Sequence, residues 1–146
     1  MKYLLLVVGL AGGITQGARA ATSHDSMRVA SKQNLAKVQY GVASYYSKKF
    51  TNKKTASGQL YDPEKMTAAH NFLPMNTWIR VTNLRNKRSV IVRINDRLHH
   101  RNKRLVDLSS SAAAKLGYLR RGITRVKIEV IQDKKKISEL SSQSYK

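Results

Sequence analysis

A small, mainly β, closed or nearly closed barrel is the fold class that this sequence predicts. Three observations lead there: several short segments with strand patterning, a single clear helix signal, and a length suited to one core. The chain has 146 residues, and about 100–150 residues is the usual size of a single hydrophobic core. Apolar content of 41% is enough for a compact interior, and two prolines are too few for a Pro-rich linker. Closing short strands into a barrel also removes the unpaired edges that an open sheet would expose.

Along the chain, residues 1–20 read as a signal peptide. They carry a basic start at Lys2, an apolar run from Leu4 to Leu10 and the small-x-small pattern Ala18-Arg19-Ala20, and the run is too short to span a bilayer. Residues 21–37 are rich in Ser, Lys, Asn and Gln without a sustained period and read as a flexible leader. The folded domain is expected over 38–131, followed by a disordered basic tail over 132–146.

Within the domain, "VQYGVASYY" is rich in β-branched and aromatic residues. "TWIRVTNL" alternates, with Ile79 and Val81 on one face and Arg80 and Thr82 on the other. "RNKR" is a turn in which Asn86 can take a positive φ, and "SVIVRIND" alternates again to complete a hairpin. "TRVKIEVI" closes the domain with Val126, Ile128 and Val130 on one face. One helix is expected over "SSAAAKL", capped by Ser109 or Ser110 and stopped by Gly117 in a left-handed conformation.

The formal charge of +20 repels other copies of the chain, favouring a monomer, and attracts polyanions. Nucleic acid, an anionic membrane surface and the acidic polymers of a bacterial envelope all satisfy that field. An export signal selects the envelope and argues against nucleic acid. There is no cysteine, so the domain must be held by its core rather than by disulfides. Without a cysteine to carry a lipid, the product of signal cleavage is expected to be soluble in the periplasm or cell envelope, with no stable membrane insertion.

Only eight acidic residues occur, so each can be weighed. Asp25, Asp133 and Glu139 fall in the terminal segments, Glu129 points away from the apolar face of its strand, and Glu64 sits in a turn after Pro63. Asp96 continues the series Val90, Val92, Ile94 and so is expected on the core side of the strand end. Desolvation there would favour the protonated acid that a general acid catalyst needs. An aspartate capping its own turn is the other reading, and position alone leaves both open. Asp107 precedes the helix and suits a structural role toward backbone amides or Arg104. Asp62 suits a turn before proline. A metal site from Asp96, His99 and His100 is disfavoured, because adjacent histidines converge poorly on one ion and nothing completes the ligand set. His70, in "MTAAHNFLP", reads as a core or surface histidine unless an acid lies nearby. The rings of Tyr45, Tyr46, Tyr61, Phe72 and Trp78 are expected to pack the barrel, with one or two tyrosines free to stack on sugar rings. The lysine-rich "SKKFTNKKT" is a solvated loop that can steer the domain toward an anionic polymer.

Taken together, "YGVASYYSKKF", "TASGQLYD", "MTAAHNFLPMNTWIRVTNLRNKRSVIVRINDR", "RLVDLSSSAAAKLGY" and "GITRVKIEVI" resemble the rare lipoprotein A (RlpA) family of bacterial envelope proteins. The resemblance runs in order from Tyr40 to Ile131. It implies a six-stranded double-psi β-barrel of the barwin and expansin kind, with one or two short helices. It also implies endolytic cleavage of peptidoglycan glycan strands by a lytic transglycosylase that uses no water nucleophile; no metal or cofactor is expected. One carboxyl can serve as acid and then base in such chemistry, unlike the paired carboxylates of ordinary glycosidases. The family's catalytic Asp falls on Asp96 and its motif histidine on His70, which would orient substrate or acid. Gln59, Tyr45, Tyr46 and Arg97 are the candidate substrate-binding residues.

The chain departs from the family pattern at three places. Gln59 stands where the family has Glu, and glutamine can hydrogen-bond a sugar but cannot carry a proton. Leu98-His99-His100 replaces Gly-Pro-aromatic after "NDR", and Lys103 replaces a later glycine. The C-terminal glycan-binding domain and lipid-anchor cysteine of many members are not in this sequence. A non-catalytic, expansin-like module that binds or loosens peptidoglycan is therefore the alternative expectation.

Overall fold

Alternation of apolar residues places the long strands. The structure, a computed structural model, describes residues 37–144; the signal peptide and nearly all of the leader lie outside the described residues. Six strands form a closed barrel: β1 (Val38–Tyr45), β2 (Thr67–Ala69), β3 (Trp78–Asn83), β4 (Ser89–Asp96), β5 (Val106–Leu108) and β6 (Thr124–Val130). Their spatial order is β1-β5-β2-β4-β3-β6, with β6 pairing back to β1. The β1/β5 and β2/β4 pairs are parallel and the other four antiparallel. The β3–β4 hairpin forms as expected, in register from Trp78↔Arg93 to Thr82↔Ser89.

The residues assigned to the core face are inside. Ile79, Val81, Val92, Ile94, Val126 and Ile128 are buried, joined by Leu73, Leu108, Leu116 and Tyr118. Tyr118 carries no strand or helix signal, yet it is buried and its hydroxyl donates to the Ser44 carbonyl at 2.8 Å. Trp78 and Tyr61 are buried but lie outside the main core cluster, and Phe72, also expected to pack the barrel, is 57% exposed.

The helix α1 spans Ser110–Leu116. Ser109 is its cap, accepting from the Ala112 N–H, and Gly117 ends it at φ 74°. Two details differ from expectation. In the β3–β4 turn the positive φ belongs to Lys87, at 63°. Asn86 instead donates through Nδ2 to the Leu116 carbonyl at 2.8 Å, a helix-end group that also accepts from Asn83 Nδ2 at 3.0 Å. The segment read as a disordered tail contains a second helix, α2 (Lys134–Ser144). Asp133 starts it, its carboxylate accepting from the Lys135 and Lys136 N–H groups. Leu140 then faces a hollow shared with Met66 and Trp78, an apolar lining supplied by distant parts of the chain. No helix among the described residues is long and apolar enough to cross a membrane.

Candidate active site

Asp96 stands at the end of β4, where the strand loses its simple alternation. The pairing with β2 slips there: Ala68 faces Ile94 but Ala69 faces Asp96. Such an irregularity adds a residue to one strand and re-aims the side chain that follows. Asp96 is therefore half-buried at the barrel rim rather than in the core, which corrects the placement inferred from strand parity.

Three donors hold its carboxylate. The Tyr46 hydroxyl donates to Oδ2 at 2.6 Å, and the backbone N–H groups of Ala56 and Arg97 donate to Oδ1, each at 2.8 Å. Burial, then the bond to Asp96, pushes the Tyr46 phenol well above its ordinary value, so Tyr46 is a fixed donor and not a base. Its ring lies 4.5 Å from that of Tyr61 and edge-on to Phe50 at 5.8 Å. The loop carrying Ala56 is tied to β4 again by the Ser57 N–H bond to the Asn95 carbonyl.

His70 is fully buried, and its ring is committed within the protein. Nδ1 accepts from the N–H groups of Phe72 and Leu73, both at 3.1 Å. That leaves Nε2 protonated, donating to Gln39 Oε1 at 3.2 Å. Burial, helped by the Arg97 charge, pushes the imidazole down to about 4, so it stays neutral. His70 meets Asp96 through backbone: its N–H donates to the Asp96 carbonyl, and its own carbonyl accepts from Arg97 Nη1 at 2.7 Å. The imidazole thus sets the turn beside the acid, and the hydrogen bond expected from it to the acid is not formed.

Gln59 lies on the neighbouring face. Its Oε1 accepts from Arg93 Nη2 at 3.2 Å and Asn95 Nδ2 at 3.3 Å, beside a polar hollow of about 420 Å³. Tyr45 does not join the site: its hydroxyl donates to the Leu119 carbonyl and its ring meets Tyr118 edge-on. Asp107 has the expected structural role, paired with Arg104 and accepting from the Ser44 hydroxyl at 2.6 Å. The Asp62 carboxylate accepts from the Glu64 N–H in a local turn. His99 and His100 are exposed and lie ring against ring at 4.2 Å. Among the described residues, no group of three His, Asp or Glu side chains is placed to hold a metal ion. Sequence reasoning missed Ala56, Arg93 and Asn95. Ala56 contributes through its backbone, which has no sequence signal; Asn95, inside "IND", was the only legible hint.

Comparison with known proteins agrees with this architecture. The model of the lytic transglycolase family matches residues 38–128. A Pasteurella multocida protein named endolytic peptidoglycan transglycosylase RlpA is 52% identical over 92 residues, covering 63% of this chain and 31% of the relative. A Neisseria meningitidis serogroup A protein of the same name is 43% identical over 117 residues, covering 76% and 49%. The chain thus spans about a third to a half of the length of these curated relatives. Among solved structures, the Streptomyces papain inhibitor superposes with a TM-score of 0.54 at 21% identity, covering 66% of this chain and 96% of that one. A Clavibacter michiganensis expansin in complex with cellohexaose gives 0.53 at 21%, covering 66% and 51%. These two likenesses concern the fold. The match over most of the barrel and the closed six-stranded topology together place the chain in the lytic transglycolase family, as an RlpA-like double-psi β-barrel domain.

Proposed function

We propose that this domain is an endolytic peptidoglycan lytic transglycosylase, exported to the cell envelope, with Asp96 as its acid and base. The observation that carries the reading is the Asp96 carboxylate itself: half-buried and fixed by three donors, two of them from distant segments and one from the next residue. Such fixation is what positions a proton-transfer group. Of the other carboxylates considered, Asp107 is ion-paired with Arg104 in a structural role, and Asp62 accepts from the Glu64 N–H in its own turn. The relatives named as endolytic peptidoglycan transglycosylases support the same reading.

In the proposed reaction, protonated Asp96 gives its proton to the glycosidic oxygen as the bond from that oxygen to C1 breaks. The sugar's own C6 hydroxyl oxygen bonds to C1, and its proton passes to the Asp96 carboxylate. An anhydro ring forms, no water is consumed, and the acid is regenerated. Tyr46 keeps the carboxylate oriented, while Gln59 and Arg97 offer hydrogen bonds to the strand.

Incubating the mature protein with purified sacculi and reading the products by mass spectrometry tests this. Anhydro-ended muropeptides should accumulate with wild type and be lost with Asp96→Asn, a drop of roughly 100-fold or more for a general acid. Equal release from both proteins would overturn the enzymatic reading. A second reading, a wall-binding module that does not cut, draws on Gln59: its oxygen is occupied by Arg93 and Asn95, and an amide cannot replace a carboxyl in proton transfer. Sacculus binding without anhydro products would favour it.

A further inference from the structure

Beside the turn that follows His70, the fold builds a second concavity, lined by none of the residues given a role in the reaction above. Its volume is about 330 Å³. Two large rings stand in water at its edge, Tyr40 at 66% and Phe72 at 57% exposure. One exposed aromatic is ordinary, but two lining the same hollow are a feature to explain.

The hollow is built. Gly41 forms part of its wall, and a Cβ there would lie 2.6 Å from Leu105 Cβ, so only glycine lets the β4–β5 loop come this close to β1. The Leu105 N–H bond to the Val42 carbonyl, at 2.9 Å, pins that loop in place. The exposure of Phe72 is enforced as well. Its N–H and that of Leu73 are both held by buried His70, and Leu73 is anchored in the core.

Charge completes the pattern. The basic residues lining the hollow are His100, Lys103 and Arg104, with no carboxylate among the lining residues. Arg104 is neutralised by its two-pronged pairing with Asp107, which leaves the exposed Lys103 as the strong cation of the rim. Asn71 adds an amide to the lining. Rings suit the apolar faces of sugars, amides their hydroxyl and acetamido groups, and an ammonium a carboxylate.

We propose that Tyr40, Phe72 and Lys103 form a subsite for a carboxylate-bearing amino sugar, engaging a glycan strand beyond the one cut at Asp96. The inference rests on the proposed glycan substrate and extends it to a charge preference. The carboxylate can be the lactyl group of the sugar or belong to an attached peptide.

The test uses the full mature chain carrying Asp96→Asn, so that ligands are not consumed, and measures Kd by calorimetry. Three tetrasaccharides serve as probes: a denuded peptidoglycan fragment, the same fragment with stem peptides, and neutral chitotetraose. Phe72→Ala and Tyr40→Ala should each weaken the denuded fragment roughly 3- to 10-fold, with unchanged circular dichroism. Lys103→Ala should remove the preference for carboxylated over neutral probes. If only the peptide-bearing probe depends on Lys103, the carboxylate recognised is the peptide's; dependence of the denuded probe assigns it to the lactyl group. Unchanged Kd in both ring variants overturns the subsite, and equal affinity for chitotetraose overturns its charge preference. Sacculus digestion is scored separately, so a protein that binds through Phe72 but releases no anhydro ends defeats the enzymatic reading and leaves the subsite standing.

Discussion

Asp96 and His70 show how far a residue's chemistry depends on what surrounds it. A core-side aspartate was expected, and a rim aspartate with three donors is present. His70 was expected to act on the acid or substrate, yet its ring nitrogens are spent on Phe72, Leu73 and Gln39. The burial that holds its imidazole down near 4, from an ordinary 6.5, has a consequence for stability. The unfolded chain protonates this histidine first, so between those values it binds more protons than the folded chain does. The contribution is fully present above about pH 6.5 and is lost as pH falls toward 4. Its size is roughly 3 kcal/mol. Urea unfolding from pH 7.5 down to 4 should show that loss in wild type and a flatter profile in His70→Gln, which should also be less stable at neutral pH. Parallel profiles would remove His70 as the cause.

Among the elements, the long strands β1, β3, β4 and β6 were readable because six to eight residues suffice to display a period of two. β2 and β5 have three residues each, too few for any period, and they form because their neighbours supply the partners. The register slip beside Asp96 arises from pairing β4 with β2 and cannot be read from β4 alone. Ser109 and Gly117 were legible because caps and stops are chemistry of single residues. The close approach of β1 and the β4–β5 loop gives a test at this scale. Gly41→Ala should destabilise the fold by about 1–3 kcal/mol, since the new methyl overlaps Leu105, itself packed against the core. Thermal or urea unfolding measures it. A cost below a few tenths of a kcal/mol would mean that the loop moves freely and the hollow beside it is not a fixed feature.

For the whole molecule, the field is the dominant property. A formal charge of +20 acts over the Debye length, about 10 Å at 0.1 M salt and about 3 Å at 1 M. Binding of Asp96→Asn protein to sacculi should therefore weaken roughly tenfold or more between about 0.05 and 0.5 M NaCl, as measured by pull-down. Salt-independent binding would assign attachment to sugar contacts alone.

Period, caps and charge are local, so the sequence by itself determined a small β barrel with one capped helix, a basic surface, and Asp96 as the acid to consider. Composition supplied the field, and the resemblance supplied the six-stranded architecture. Only tertiary structure decided which way Asp96 points, that Tyr46 and not Tyr45 meets it, and that His70 works through its turn. It also decided that Asp133 starts a helix where a disordered tail was expected. Each of those outcomes depends on partners far apart in the chain, such as Tyr46 with Asp96 and Gln39 with His70. No short-range pattern carries that information, because it comes into being only when the barrel closes.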